Sequence, residues 1–106
     1  MKPILLFLFI ISISVNIETE HTPEIVDCSY KNIKLHGRVQ FVESFPDFKI
    51  KIVESFPDLH VQIVESFPDN CGEWEIVESF PDFKVQVVES FPDLKVQYVE
   101  SFPGIP

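Results

Sequence analysis

An all-β fold wound from short repeats is what this sequence predicts, and two observations carry that expectation. The hexapeptide Val-Glu-Ser-Phe-Pro-Asp begins at Val42, Val53, Val64, Val77 and Val88, and returns at Val99 with Gly104 in the aspartate's place. Ahead of most copies stands a five-residue run in which apolar residues alternate with Lys, His or Gln: Phe48-Lys49-Ile50-Lys51-Ile52, Leu59-His60-Val61-Gln62-Ile63, Phe83-Lys84-Val85-Gln86-Val87 and Leu94-Lys95-Val96-Gln97-Tyr98. Alternation at period two is the mark of a half-buried strand, and a fixed short period the mark of a repeat architecture. A helix is excluded because a proline falls in every repeat and pushes the residue before it toward extended geometry. On periodicity alone the winding is solenoid-like.

Taken in order, residues 1–14 read as a secretory signal peptide. Lys2 is the positive leader, residues 4–11 are an apolar run too short to span a bilayer, and Ser12 and Ser14 occupy the small-residue places of a cleavage site. Residues 15–23 form a polar leader, and residues 24–106 are read as one β-repeat domain whose regular repeats run from 38 to 106. The location expected is therefore secreted or periplasmic. Removing Lys2 leaves 8 − 1 = 7 basic against 17 acidic residues, a net charge of −10. That balance excludes nucleic acid and, after signal cleavage, a membrane as partners, since both need basic patches. A soluble monomer with an unknown extracellular partner is the expectation.

The segment from Glu24 to Leu35 is a degenerate lead-in carrying Cys28, in which Ile25, Val26, Ile33 and Leu35 could start or flank strands. His36-Gly37 marks a turn into a first regular strand over 38–42. In an oxidising compartment Cys28 and Cys71 are expected to form a disulfide. It closes a loop of 71 − 28 = 43 residues, worth about 4 kcal/mol in the chain-entropy model. Neither the two cysteines nor His21, His36 and His60 show zinc-type spacing.

The period is 11 residues except in the copy starting at Val64, which runs to 13. An odd period sends successive apolar sets to opposite faces unless the phase slips once per repeat. Slips are expected at the doublets Ile52-Val53, Ile63-Val64 and Val87-Val88, or at the Phe-Pro-Asp corner, where Pro at i+1 suits a type I turn. Each repeat then reads as a strand, a bend, a short Val-Glu-Ser-Phe strand and a proline corner. In the long repeat, Asn70 and Gly72 supply a turn, Cys71 a tie, and Trp74 takes the place that Val61 fills one repeat earlier.

Val-Glu-Ser-Phe-Pro-Asp followed by Phe/Leu-Lys-Val-Gln-Val, with a Cys71-Gly72-Glu73-Trp74 repeat midway and a closing Ser101-Phe102-Pro103-Gly104, resembles the 7(1) septoil knot domain over roughly residues 37–106. The resemblance implies a small all-β fold wound as a torus-type knot, and brings no activity with it.

The carboxylates are the abundant chemical feature. Stacked in register, equivalent glutamates would form a column about 4.8 Å apart, which like-charge repulsion opposes. Either the strands interleave out of register, bringing Lys49, Lys84 and Lys95 near the carboxylates, or a cation neutralises the column. The second case is a calcium reading on Glu43, Asp47, Glu54, Asp58, Glu65, Asp69, Glu78, Asp82, Glu89 and Asp93, but the repeats lack the turn glycines of calcium-binding β-rolls. A hydrolase-like reading is weaker: the serine recurs in every copy without a unique base, and nucleophilic catalysis needs one activated residue with an oriented partner. The recurrent Phe residues and Trp74 read as core. No catalytic residue, metal or cofactor is expected. The function expected is a non-enzymatic structural or interaction module that presents regular Lys and Gln strand faces to its partner.

Overall fold

The computed structural model describes residues 22–106; the expected signal peptide and most of the polar leader lie outside the described residues. Eight strands follow one another: β1 (Ser29–Tyr30), β2 (Ile33–Lys34), β3 (Gly37–Phe41), β4 (Phe48–Ile52), β5 (Leu59–Ile63), β6 (Glu73–Ile76), β7 (Phe83–Val87) and β8 (Leu94–Tyr98). The four alternating runs are strands over their full predicted length, and β3 begins one residue earlier than expected. In the lead-in, β1 and β2 pair antiparallel around Lys31 and Asn32, both at positive φ as a primed two-residue turn requires.

The other six strands are all parallel and close into a barrel in the order β3-β6-β5-β8-β4-β7. Apart from β5 with β6, no barrel strand pairs with its successor, and the sheet closes on itself rather than stacking as an open ladder. The register shows why. Phe41 at the end of β3 and Phe48 at the start of β4 lie on either side of the same residue, Val85 of β7. In the same way Ile52 and Leu59 flank Val96, Ile76 and Phe83 flank Val39, and Val87 and Leu94 flank Ile50. Each six-residue linker is therefore an arch that passes over one strand and starts the next on its far side. Residues 42–47 cross β7, 53–58 cross β8, 77–82 cross β3, and 88–93 cross β4. Residues 99–104 cross β5, where Val99 N–H donates to Val61 O and Gly104 meets His60.

A chain that moves two places at each step visits β3, β4, β5 and β6 on a first circuit and β7 and β8, between them, on a second. The observed order fits a ring of seven places, with six strands and one place left between β5 and β6. Gly104, at the end of the last arch, stands at that place: its N–H donates to His60 O (2.9 Å) and its carbonyl accepts from His60 N–H (2.8 Å). Above it β5 and β6 pair directly, Gln62 with Glu73 and Ile63 with Trp74. Beside it the Cys28–Cys71 disulfide closes the wall, as the compartment argument expected.

The first and third residues of the five-residue strands, and the second of β6, point inward. Val39, Phe48, Ile50, Leu59, Val61, Trp74, Phe83, Val85, Leu94 and Val96 form the core, with Tyr30 and Leu35 of the lead-in. Trp74 is fully buried and donates from Nε1 to Leu35 O (3.2 Å). Four rings run across the base of the barrel: Tyr30 edge-on to Phe48, Phe48 stacked on Phe83, and Phe83 edge-on to Trp74, with centroids 5.4–5.7 Å apart. The lead-in thus plugs the mouth at which the strands start. Burial, reinforced by the Asp93 charge and opposed by Lys31, raises the pKa of the Tyr30 hydroxyl.

Two sequence expectations fail at the linkers. Val-Glu-Ser-Phe forms no strand; it is the bent rise of an arch. Nor is the corner a hydrogen-bonded type I turn: among the described residues no N–H following Asp47, Asp58, Asp82 or Asp93 donates back to the phenylalanine carbonyl before the proline. The phase slip does occur once per repeat, within the arch.

Gly72 tests the closure. It sits at φ +84°, and a Cβ there would collide with His60 O and Gly104 N. Gly72→Ala is expected to cost about 2–4 kcal/mol, from left-handed strain together with overpacking. A urea titration reads it, and a midpoint unchanged from wild type would show that the seventh place is not closely packed.

Candidate functional site

Every arch is held to the strand beneath it by the same set of bonds. At its foot, the backbone N–H of Val42, Val53, Val77, Val88 and Val99 donates to the third residue of the crossed strand. At its far end the aspartate makes a reciprocal pair with the second. Asp47 N–H donates to Lys84 O (2.8 Å) while its Oδ2 accepts from Lys84 N–H (2.7 Å). Asp58 pairs likewise with Lys95, Asp82 with Arg38, and Asp93 with Lys49. The carboxylate oxygen stands where a neighbouring strand would offer a carbonyl, so the side chain extends the ladder past the corner. A glycine can replace the last aspartate because at φ +119° Gly104 turns its own carbonyl to the same donor.

The lysine contacts foreseen from an interleaved register are therefore made, but through backbone N–H groups. An ion pair at this end joins Arg38 to Asp82, at 3.9 Å and half exposed. The fourth strand residue holds the arch above it. Gln40, Gln62, Gln86 and Gln97 donate from Nε2 to the carbonyls of Glu78, Glu100, Glu43 and Glu54, at 2.9–3.1 Å. Lys51 stands at this position under the arch 88–93. The Gln positions expected to meet a partner thus lie half-buried under the chain itself, while Lys49 and Lys84 remain exposed.

What the arches present instead is phenylalanine. Phe45, Phe56, Phe67, Phe80, Phe91 and Phe102 are 80–92% exposed, which corrects their assignment to the core. Each sits at φ +54° to +58°, a left-handed conformation that costs a residue with a Cβ about 1–2 kcal/mol. The following proline disfavours the right-handed helical region, and the arch selects the left-handed one. Two residues before each ring stands an exposed glutamate: Glu43, Glu54, Glu65, Glu78, Glu89 and Glu100. The arches wrap the barrel, so these pairs form a belt around its waist. The last residues of the six barrel strands, Phe41, Ile52, Ile63, Ile76, Val87 and Tyr98, rim the open mouth at 37–49% exposure. Partial burial raises the Tyr98 pKa.

The pattern yields at one strand. The arch 64–69 sets out over β6 with the usual foot bond, Val64 N–H to Trp74 O (2.9 Å), but Glu75 replaces the glutamine beneath it, and a cleft of about 640 Å³ opens between Lys34, Arg38, Phe67, Asp69, Glu75 and Asp82. Asp69 turns back on itself, its N–H donating to Phe67 O, and among the described residues its carboxylate accepts no backbone N–H. His36 Nδ1–H donates to Pro68 O (2.9 Å) and ties this corner to the lead-in.

Of the ten residues of the calcium reading, the aspartates at four corners are engaged on backbone N–H groups and the glutamates are spread over separate arches. Among the described residues no three Asp, Glu, His or Cys side chains converge as a metal cage. Nothing in the local sequence marks the phenylalanines as exposed; the proline after each is the one hint that the backbone there is constrained.

The family profile described as the 7(1) septoil knot domain matches residues 32–106. An uncharacterised protein of Synechocystis sp. is 58% identical over 67 residues, which cover 63% of this chain and 60% of that protein. The chain thus matches less than two thirds of this relative's length.

The aspartate bonds give a paired prediction. Asp58→Ala removes a charged acceptor from a strand N–H and is expected to cost about 1–3 kcal/mol, whereas Asp69→Ala should stay within about 0.5 kcal/mol. Equal midpoint shifts in urea would show that the carboxylates do not extend the ladder.

Proposed function

The chain belongs to the 7(1) septoil knot domain family, and on that scaffold we propose an exported, non-enzymatic interaction module: a knotted β fold whose working surface is the belt of arch phenylalanines. The exposure of those six rings carries the reading. Each combines a backbone cost with an apolar side chain left in water, and a large exposed apolar surface on a small protein is the ordinary sign of a contact face. Export is supported by the apolar run at residues 4–11 and by the Cys28–Cys71 bond, which suits an oxidising compartment. The hydrolase reading has less behind it: among the described residues no serine hydroxyl bonds a histidine, and His36 is engaged on Pro68 O.

The torus-type knot is supported by the two circuits around the ring with an arch over a strand at each step. Stretching the cysteine-free domain from its ends tests it. A knot tightens and leaves the contour short of about 3.3–3.6 Å per residue, while a full-length contour would show an unknotted chain.

Replacing Phe45, Phe56, Phe80, Phe91 and Phe102 with Asn, a residue that tolerates left-handed φ, tests the surface. The β circular-dichroism signal and thermal midpoint should be retained while binding of an apolar fluorescent dye is largely lost; undiminished dye binding would remove the belt as the contact face. Melts of the wild type in EDTA and in millimolar calcium should coincide. A midpoint that climbs with calcium would mean that the folded state binds the ion, and would replace this reading with the calcium one.

A further inference from the structure

The belt has a second property beside its rings, and it bears on what can dock there. Each exposed phenylalanine carries an exposed glutamate two residues before it, in six copies, and the whole chain has a formal net charge of −9. Basic side chains are placed elsewhere. Lys31 and Lys34 lie in the lead-in, and Arg38, Lys49, Lys84 and Lys95 stand at the second strand position, beside the aspartates. Lys51 is the basic residue at the level of the belt.

Charge decides among the occupants an apolar belt could take. A second copy would bring like-charged glutamates face to face, and an anionic bilayer or a nucleic acid would be repelled in the same way. A neutral bilayer could accept the rings but would have to desolvate a carboxylate beside each of them. A cationic partner gains on both counts. A guanidinium can lie over a phenylalanine face while pairing with a carboxylate, each contact weak alone. Repetition around the barrel then joins weak contacts into one binding event. Resting on the reading of the belt as the contact face, we infer that the partner is a protein surface or segment rich in arginine.

The test uses the disulfide-intact mature domain and a labelled arginine decapeptide, followed by fluorescence anisotropy at physiological salt. Two variant sets are compared: the five Phe→Asn replacements, and Glu→Gln at Glu43, Glu54, Glu78, Glu89 and Glu100. Saturable binding is expected, several-fold tighter than to a lysine decapeptide, and weakened at least roughly tenfold by either set. If the glutamate set weakens binding and the phenylalanine set does not, the contact is general charge attraction and the inference falls. Failure of the wild type to bind the peptide overturns it equally. Phenylalanine-dependent binding to phosphatidylcholine vesicles in place of the peptide would overturn the cationic partner and leave the belt as a contact face. If neither ligand binds, and the phenylalanine set leaves dye binding unchanged as well, the reading of the belt itself fails.

Discussion

The reciprocal bond between a corner aspartate and the strand it has just crossed is what the rest of this structure depends on. A parallel barrel whose neighbours are not sequential must carry its chain over a strand at every step. Each crossing leaves the N–H and C=O of the crossed strand's second residue beyond the reach of the strand ladder, and backbone groups in a folded chain need partners. Asp47, Asp58, Asp82 and Asp93 remove that difficulty with one side chain each, and Gly104 does so with its backbone. The glutamines then fix the height of the arch, and the arch fixes the phenylalanine. The exposed belt is thus a product of the hydrogen bonding beneath it.

The long repeat is the price of closing such a ring with six strands. The linker before β6 sets out over β6 itself, Val64 N–H bonding Trp74 O, and must then turn back into that same strand, so it cannot finish as a regular arch. Its Asn70-Cys71-Gly72 insertion lets β6 approach β5, Gly72 packs without a side chain against His60 and Gly104, and the disulfide anchors the lead-in across the same gap. The departures of Asp69 and Glu75 from their siblings' pattern follow from this position, as does the cleft beside them. What looks like an irregular copy is the one place where the geometry changes.

The strands were legible because period-two alternation is a local signal, and Phe48-Lys49-Ile50-Lys51-Ile52 could be little else. The disulfide was legible from composition and compartment. The arches were not: Val and Phe spaced around Glu and Ser imitate a strand, and nothing local says that Phe45 faces water. Hydrophobicity alone sends a phenylalanine to the core, and here backbone constraint prevailed. The barrel order was illegible for a different reason. It is a property of residues some 40 positions apart, such as Arg38 and Asp82, and enters the sequence only as near-identity among repeats. On local pattern the aspartates therefore read as candidate cation ligands rather than as ladder partners.

The two-place step has a consequence for how such a chain can change in length. Moving two places at a time around a ring reaches every place only when the number of places is odd. Seven satisfies this; six or eight would split the walk into two separate circuits, with half the wall never built. In an open repeat array a single unit can be gained or lost by unequal recombination and the array remains sound. Here parity forbids it. On a strict two-place step copy number changes in pairs, so the shortest alteration that keeps the walk whole is 22 residues, twice the 11-residue period.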